Sequence, residues 1–299
     1  MSREETIRFA LGYRAFYGIQ YVLYSMHALY SHVEKIVVAI TDTPQTFSVL
    51  WRYKPEITPE FIKKYPDIGR KIEVIKGSWG PNLIDRNTLK FEARHCNAIL
   101  DYVRGKNPEL NYLIILDTDE ILTDESIAGL KKAILMHPEA YAFKMCYKNY
   151  WKGLHYVAEG KYHSATVCIK ITPDIKFSDV NVREINKKPV IALGENIYYH
   201  HLTYALSTKK LLIKIRTFGH ANTIRKNWYR DVWKAWDNNK SIANIHPLFD
   251  GSWWEKAIRI NDSEVPQLLR QHPYFQHETV DDFERAMAAR KTQDLWVPR

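Results

Sequence analysis

Unbroken apolar runs alternate with stretches of helical period through the first half of the chain, and that alternation predicts a parallel sheet with crossover helices. Residues 7–12 alternate apolar with small or polar side chains, as a first strand does, which puts Arg14 in the loop at its carboxyl end. Ile19, Val22, Leu23, Met26 and Leu29 then recur at helical spacing. Residues 34–41 form a second apolar run that closes on Asp42-Thr43-Pro44. The opening is therefore a βαβ unit with a right-handed crossover. A short helix at 59–64, a strand at 71–76 and a helix at 88–103 continue the pattern.

The most apolar strand follows. Tyr112-Leu113-Ile114-Ile115-Leu116 runs without a polar break into Asp117-Thr118-Asp119-Glu120. Such a run reads as a strand buried on both faces. Ligands of open α/β sheets sit outside the carboxyl ends of the strands. Asp117 and Asp119 lie two apart, so an extended chain sends both carboxylates to one side. They would repel there unless a cation lay between them, and hard oxygen ligands suit Mg2+ or Mn2+. The plain alternative is a polar cap leading into the helix that starts at Asp124.

Beyond that helix, strands at 140–150, 165–171, 190–193 and 196–202 come without helices between them, so the sheet becomes mixed. A polar loop at 177–186 carries Asp179, Arg183 and Glu184. Ser207 opens a helix that reaches about Phe218. Later segments read as helical and rich in tryptophan, with Trp228, Val232 and Trp236 at i, i+4 and i+8. The expected division is a sheet domain at 1–205 and a helical, basic, aromatic extension at 206–299.

Composition narrows this picture. The 299 residues contain no low-complexity tract and no run of membrane-spanning length, so no transmembrane segment is expected. The N-terminus does not read as a signal peptide. Cys96, Cys146 and Cys168 are scattered and odd in number, which argues against a disulfide framework or zinc site and suits the cytoplasm. Net charge is +9, which favours polyanionic partners.

Four features together resemble a metal-dependent glycosyltransferase of the GT-A fold, close to family 2. They are the βαβ unit ending in Thr41-Asp42, the helix segment Lys90-Phe-Glu-Ala-Arg94-His95-Cys96-Asn97-Ala98, the D-x-D-E of Asp117 to Glu120, and Tyr199-His200-His201-Leu202-Thr203-Tyr204-Ala205. The match spans about residues 7–220. Asp42-Thr43-Pro44 departs from the family's Asp-Asp-Gly-Ser, and Arg183-Glu184 stands where relatives often show His-Glu. The fold it implies is a GT-A, Rossmann-like mixed sheet with helices on both faces, plus the helical C-terminal extension.

The function implied is transfer of a sugar from a nucleotide-sugar donor, a UDP-sugar in the first instance, to an acceptor hydroxyl. Arg14, Asp42, Lys90, Arg94 and Asp117 are then donor contacts. Asp117, Asp119 and His201 are metal ligands for Mn2+ or Mg2+, the cation steadying the departing diphosphate. His200 faces the other way in an extended strand. Inversion needs a base for the acceptor proton, with Glu184 the first candidate and Asp179 the second.

Between Lys209 and Lys234 stand eight basic residues (Lys209, Lys210, Lys214, Arg216, Arg225, Lys226, Arg230, Lys234) against one acid, Asp231. With Trp228 among them, the stretch suits an anionic acceptor, or simply a solvated helix face. The acceptor is thus a saccharide, a protein, or DNA with hydroxymethylated bases of the phage type. Two other readings stay open. A nucleotidyltransferase also places metal-binding acids at a strand end, although residues 12–18 make a poor phosphate loop. A purely nucleic-acid-binding protein leaves Asp117 and Asp119 without a role.

Overall fold

Strand β1 (Phe9–Ala15) lies between β2 (Lys35–Thr41) and β4 (Tyr112–Asp117), parallel to both, and β3 (Ile72–Gly77) extends the parallel half beyond β2. The computed structural model describes residues 6–44, 53–80, 87–161, 163–180, 182–248 and 253–290. The irregular stretch expected at 46–70 and the loop expected at 238–250 fall partly outside them, as does the end of the tail.

Alternation along the strands decides which side chains meet which helices. Leu11, Tyr13, Ile36, Val38, Ile114 and Leu116 share one core with helices α1 (Val22–Leu29) and α4 (Asp124–Met136). Ala10, Val37, Ala39, Leu113 and Ile115 share the opposite core with α3 (Thr88–Lys106). Helix α3 approaches β1 closely because Gly12 faces it. A Cβ there would stand 2.4 Å from Ile99 Cγ2. Helix α2 (Pro59–Ile62) is a short connector between β2 and β3.

The other half of the sheet is mixed. β8 (His163–Lys170) runs antiparallel to β4, and β6 (Ala142–Trp151) antiparallel to β8. β9 (Val190–Ala192) and β10 (Tyr198–Tyr204) both pair parallel to β6. The two-residue β5 (Glu120–Ile121) pairs antiparallel to β10, with His201 opposite Glu120. The whole is a mixed α/β, Rossmann-like sheet with helices on both faces.

The chain beyond β10 adds α5 (Thr208–Thr217), α6 (Gln267–Arg270) and α7 (Val280–Arg290). It also adds a strand that periodicity did not reveal, β11 (Lys256–Arg259), antiparallel to an equally unexpected β7 (Tyr156–Glu159). The extension is therefore not wholly helical. Trp228, Trp233 and Trp236 pack against Trp151 and Tyr204 in one buried cluster. Among the described residues no helix is long and apolar enough to cross a membrane.

Candidate functional site

A cavity of about 380 Å³ opens at the carboxyl ends of β1 and β4. That is the crevice where strand order reverses, because β2 and β3 extend on one side of β1 and β4 lies on the other. In-register pairing sets Arg14 beside Asp117. β1 runs on to Ala15, so Arg14 is a strand residue rather than a loop residue.

Arg14 is buried and holds Glu92 of α3 at 2.5 Å and Asp117 at 2.7 Å. Arg183 arrives from the loop between β8 and β9 and reaches Asp117 Oδ2 at 2.7 Å and Glu120 Oε1 at 2.8 Å. Glu120 Oε2 accepts from the Asp117 backbone N–H at 2.8 Å. Burial pushes the Asp117 carboxyl up, but Arg14 and Arg183 outweigh it and hold the group below its usual range. Both Asp117 oxygens are thus engaged by guanidinium groups.

Asp119 has a different environment. Residues 118 and 119 form a turn, so the extended geometry that would aim both aspartates at one point is absent. The Asp119 carbonyl accepts from Leu202 N–H at 2.8 Å, which fixes the turn against β10. Lys214 of α5 donates to Asp119 Oδ2 at 3.0 Å, to Thr203 Oγ1 at 2.6 Å and to the Thr203 carbonyl at 3.0 Å. His201 Nε2 stands 3.8 Å from Asp119 Oδ1. Burial raises the Asp119 carboxyl, and Lys214 with His201 brings it below its usual value. His200, one residue earlier, turns into the core and bonds the Tyr150 hydroxyl at 2.9 Å.

The expected metal set of Asp117, Asp119 and His201 needs correction at Asp117, which two arginines occupy. Among the described residues no group of three or more His, Cys, Asp or Glu is placed to hold a metal ion. The pair Asp119 and His201 remains. Their facing atoms are too far apart for a hydrogen bond and near enough to share one cation. Divalent cations at phosphate substrates are held by one or two carboxylates with substrate phosphates and water completing the shell, so Asp119 fits such a site and His201 would be an added nitrogen ligand.

Several other expected residues lie elsewhere. Lys90 and Arg94 share a face of α3, but Thr88, Leu89, Glu92 and His95 line the cavity in their place. Arg94 is exposed, with its guanidinium over the Phe91 ring. Asp42 is exposed and accepts from the Ser78 hydroxyl at 2.8 Å, while Thr41 lines the cavity. Neither Asp179 nor Glu184 is among the lining residues. Asp179 is exposed, and Glu184 faces Lys188 at 3.8 Å.

Of the eight basic residues, Lys214 alone lines the cavity. Lys209, Arg216, Lys226 and Arg230 are exposed, Arg230 pairing with Asp231. Lys210 donates to Gln20, and Arg225 to the Asn244 carbonyl. Trp228 is 1% exposed and donates its indole N–H to the Ile245 carbonyl, so it is a core ring and not a stacking platform.

Part of the cavity lining has a different character. His163, Phe218, His220, His246, Trp253 and Trp254 form it, and none of them carries a fixed charge. Sequence patterning had no means of assigning these rings to a site, since they come from β8 and from segments without a period.

No protein-family model matches the chain, and no curated protein sequence matches it. Among solved structures, mannose-1-phosphate geranyltransferase from Thermus thermophilus is similar over 56% of this chain and 51% of its own, at 12% identity and a TM-score of 0.28. The chain therefore spans about half the length of that protein, and a likeness this distant carries no argument about the site.

Proposed function

We propose that the protein is a glycosyltransferase of the GT-A type that moves a sugar from a nucleotide-sugar donor to an acceptor hydroxyl, with Mn2+ or Mg2+ held by Asp119 and His201. The observation that carries this is the pairing of those two side chains in the lining of a strand-end cavity. The imidazole ligand favours Mn2+ over the harder Mg2+.

Electrostatics supports the need for a cation. The charged side chains lining the cavity are Glu92, Asp117, Asp119 and Glu120 against Arg14, Arg183 and Lys214. One carboxylate is in excess, so a diphosphate entering alone meets net repulsion. Asp119 and His201 would hold a divalent cation that, when bound, would reverse that balance and supply Lewis-acid stabilisation of the departing diphosphate. Lys214 holds Asp119 Oδ2 and leaves Oδ1 to face His201. Arg14 and Arg183 keep Asp117 ionised and fixed at the end of β4, and in this reading a remaining lone pair of its carboxylate would accept from a donor hydroxyl.

Transfer would break the bond between the donor's anomeric carbon and its phosphate oxygen, and form one to the acceptor oxygen. The nucleoside diphosphate leaves with the bonding electrons, and the acceptor proton passes to a base. The acceptor is proposed to be a saccharide, since the ring that would have stacked on DNA bases, Trp228, lies in the core.

The test is thermal stability against a panel of nucleoside diphosphates with and without Mn2+. A rise in melting temperature that requires Mn2+ and vanishes in Asp119→Ala is expected. No metal-dependent rise with any nucleotide would sink the proposal.

A further inference from the structure

Five histidines line the cavity: His95, His163, His201, His220 and His246. Three are committed. His95 Nε2 bonds the Ala39 carbonyl at 2.8 Å, and its ring stacks on Trp79. His246 Nδ1 accepts from Leu248 N–H at 3.1 Å, which leaves the proton of its neutral ring on Nε2. His201 faces Asp119. His220 is exposed at the rim.

His201 Nδ1 is also buried without a hydrogen-bond partner among the described residues, but its Nε2 faces Asp119, which leaves His163 as the ring with no role so far. His163 Nε2 is buried and has no hydrogen-bond partner among the described residues. An unpaired buried polar atom is costly unless a function or a ligand accounts for it. The ring is held in plane by Trp253, stacked at 4.2 Å and 19°, and by Tyr147, nearly parallel at 5.9 Å. Tyr147 is its register partner on β6 and also lies edge-on to His201 at 5.3 Å. One ring therefore separates His163 from the proposed cation ligand. Burial lowers the His163 pKa below its ordinary value, so the imidazole is the free base at neutral pH.

We propose that His163 is the catalytic base, and that the uncharged aromatic part of the cavity lining seats a neutral saccharide ring. This rests on the glycosyltransferase reading and names the acceptor class and the proton's destination. The acceptor hydroxyl gives its proton to His163 Nε2. Its oxygen attacks the anomeric carbon, and the diphosphate leaves with the electron pair, so the product has inverted configuration. The acceptor lies among Trp253, Trp254 and His246, none of which carries a fixed charge. Apolar sugar faces bind aromatic rings, and a few polar groups among those rings fix the orientation.

The test uses the full-length chain, the nucleotide sugar whose diphosphate stabilises it with Mn2+, and a panel of methyl glycosides as acceptors. Release of nucleoside diphosphate and formation of disaccharide are followed. His163→Gln and His163→Ala are expected to keep the metal-dependent rise in melting temperature while kcat falls by about 100-fold or more. Free imidazole is expected to restore part of the rate in His163→Ala only. Transfer by His163→Gln within about threefold of wild type would overturn the assignment. So would transfer to anionic sugars in preference to every neutral one. If the unaltered chain shows no nucleotide-dependent stabilisation, the underlying glycosyltransferase reading has failed, and the base falls with it.

Discussion

Arg183 Nη2 stands 2.7 Å from Asp117 Oδ2, linking the loop before β9 to the end of β4. The same nitrogen reaches Glu120 at 2.8 Å. Arg183 is 3% exposed, and its backbone sits at a φ of 48°, a region that side-chain-bearing residues rarely adopt. The ion pairs hold it there. Arg183→Met is expected to lower unfolding free energy by about 3–5 kcal/mol, because it strands the buried Glu120 carboxylate and leaves Asp117 to Arg14 alone. Urea denaturation of Arg183→Met and of Arg183→Met with Glu120→Gln checks this. The second change should recover part of the loss, since it removes one stranded charge.

Buried imidazoles set the response to acid. Burial, with a smaller push from Arg14, holds His95 down to about 3, and burial, with Lys148, holds His200 down to about 3. The unfolded chain titrates these groups near a pKa of about 6.5. Below that pH the unfolded state binds a proton that the folded state refuses. Their contribution is therefore complete above pH about 6.5 and is lost progressively as pH falls toward the folded values. Each group adds a slope of about 1.4 kcal/mol per pH unit in that window. Unfolding free energies measured at pH 7, 6 and 5 should fall accordingly. The fall in His200→Gln should be shallower by about one such slope; an identical fall in both would show that His200 is not held neutral.

Trp228 separates a core role from a role at a polyanion. Its indole contacts Trp151 and Trp233 edge-on or tilted and donates to the Ile245 carbonyl at 2.9 Å. Trp228→Ala is expected to cost about 3–5 kcal/mol in chemical denaturation. Trp228→Phe should cost less and leave binding of labelled duplex DNA, measured by fluorescence anisotropy, the same as wild type. A selective loss of DNA binding in Trp228→Phe would return that ring to the surface chemistry its neighbours in sequence suggest.

Periodicity alone determined the alternating first half of the fold, the change to a mixed sheet after α4, and the strand end where acids gather. These follow from local rules: a strand buried on both faces is apolar throughout, and a half-buried helix repeats every three or four residues. The same rules turned His200 away from His201 and set Arg14 at the end of β1, whereas the grouping of Asp117, Asp119 and His201 was an expectation from the family resemblance and not from period. Those rules did not decide which side of α3 faces the cavity. Lys90 and Arg94 share a face just as Glu92 and His95 do, and only packing against β1, where Gly12 lets Ile99 come close, selects the latter. Nor did they show that Arg183 claims Asp117 or that Lys214 claims Asp119, because those contacts span 66 and 95 positions of sequence. Net charge in the C-terminal part was plain in the sequence, but its distribution was not. One lysine points into the cavity and the tryptophans between the cations point into the core, because side-chain direction there is set by what the segment packs against.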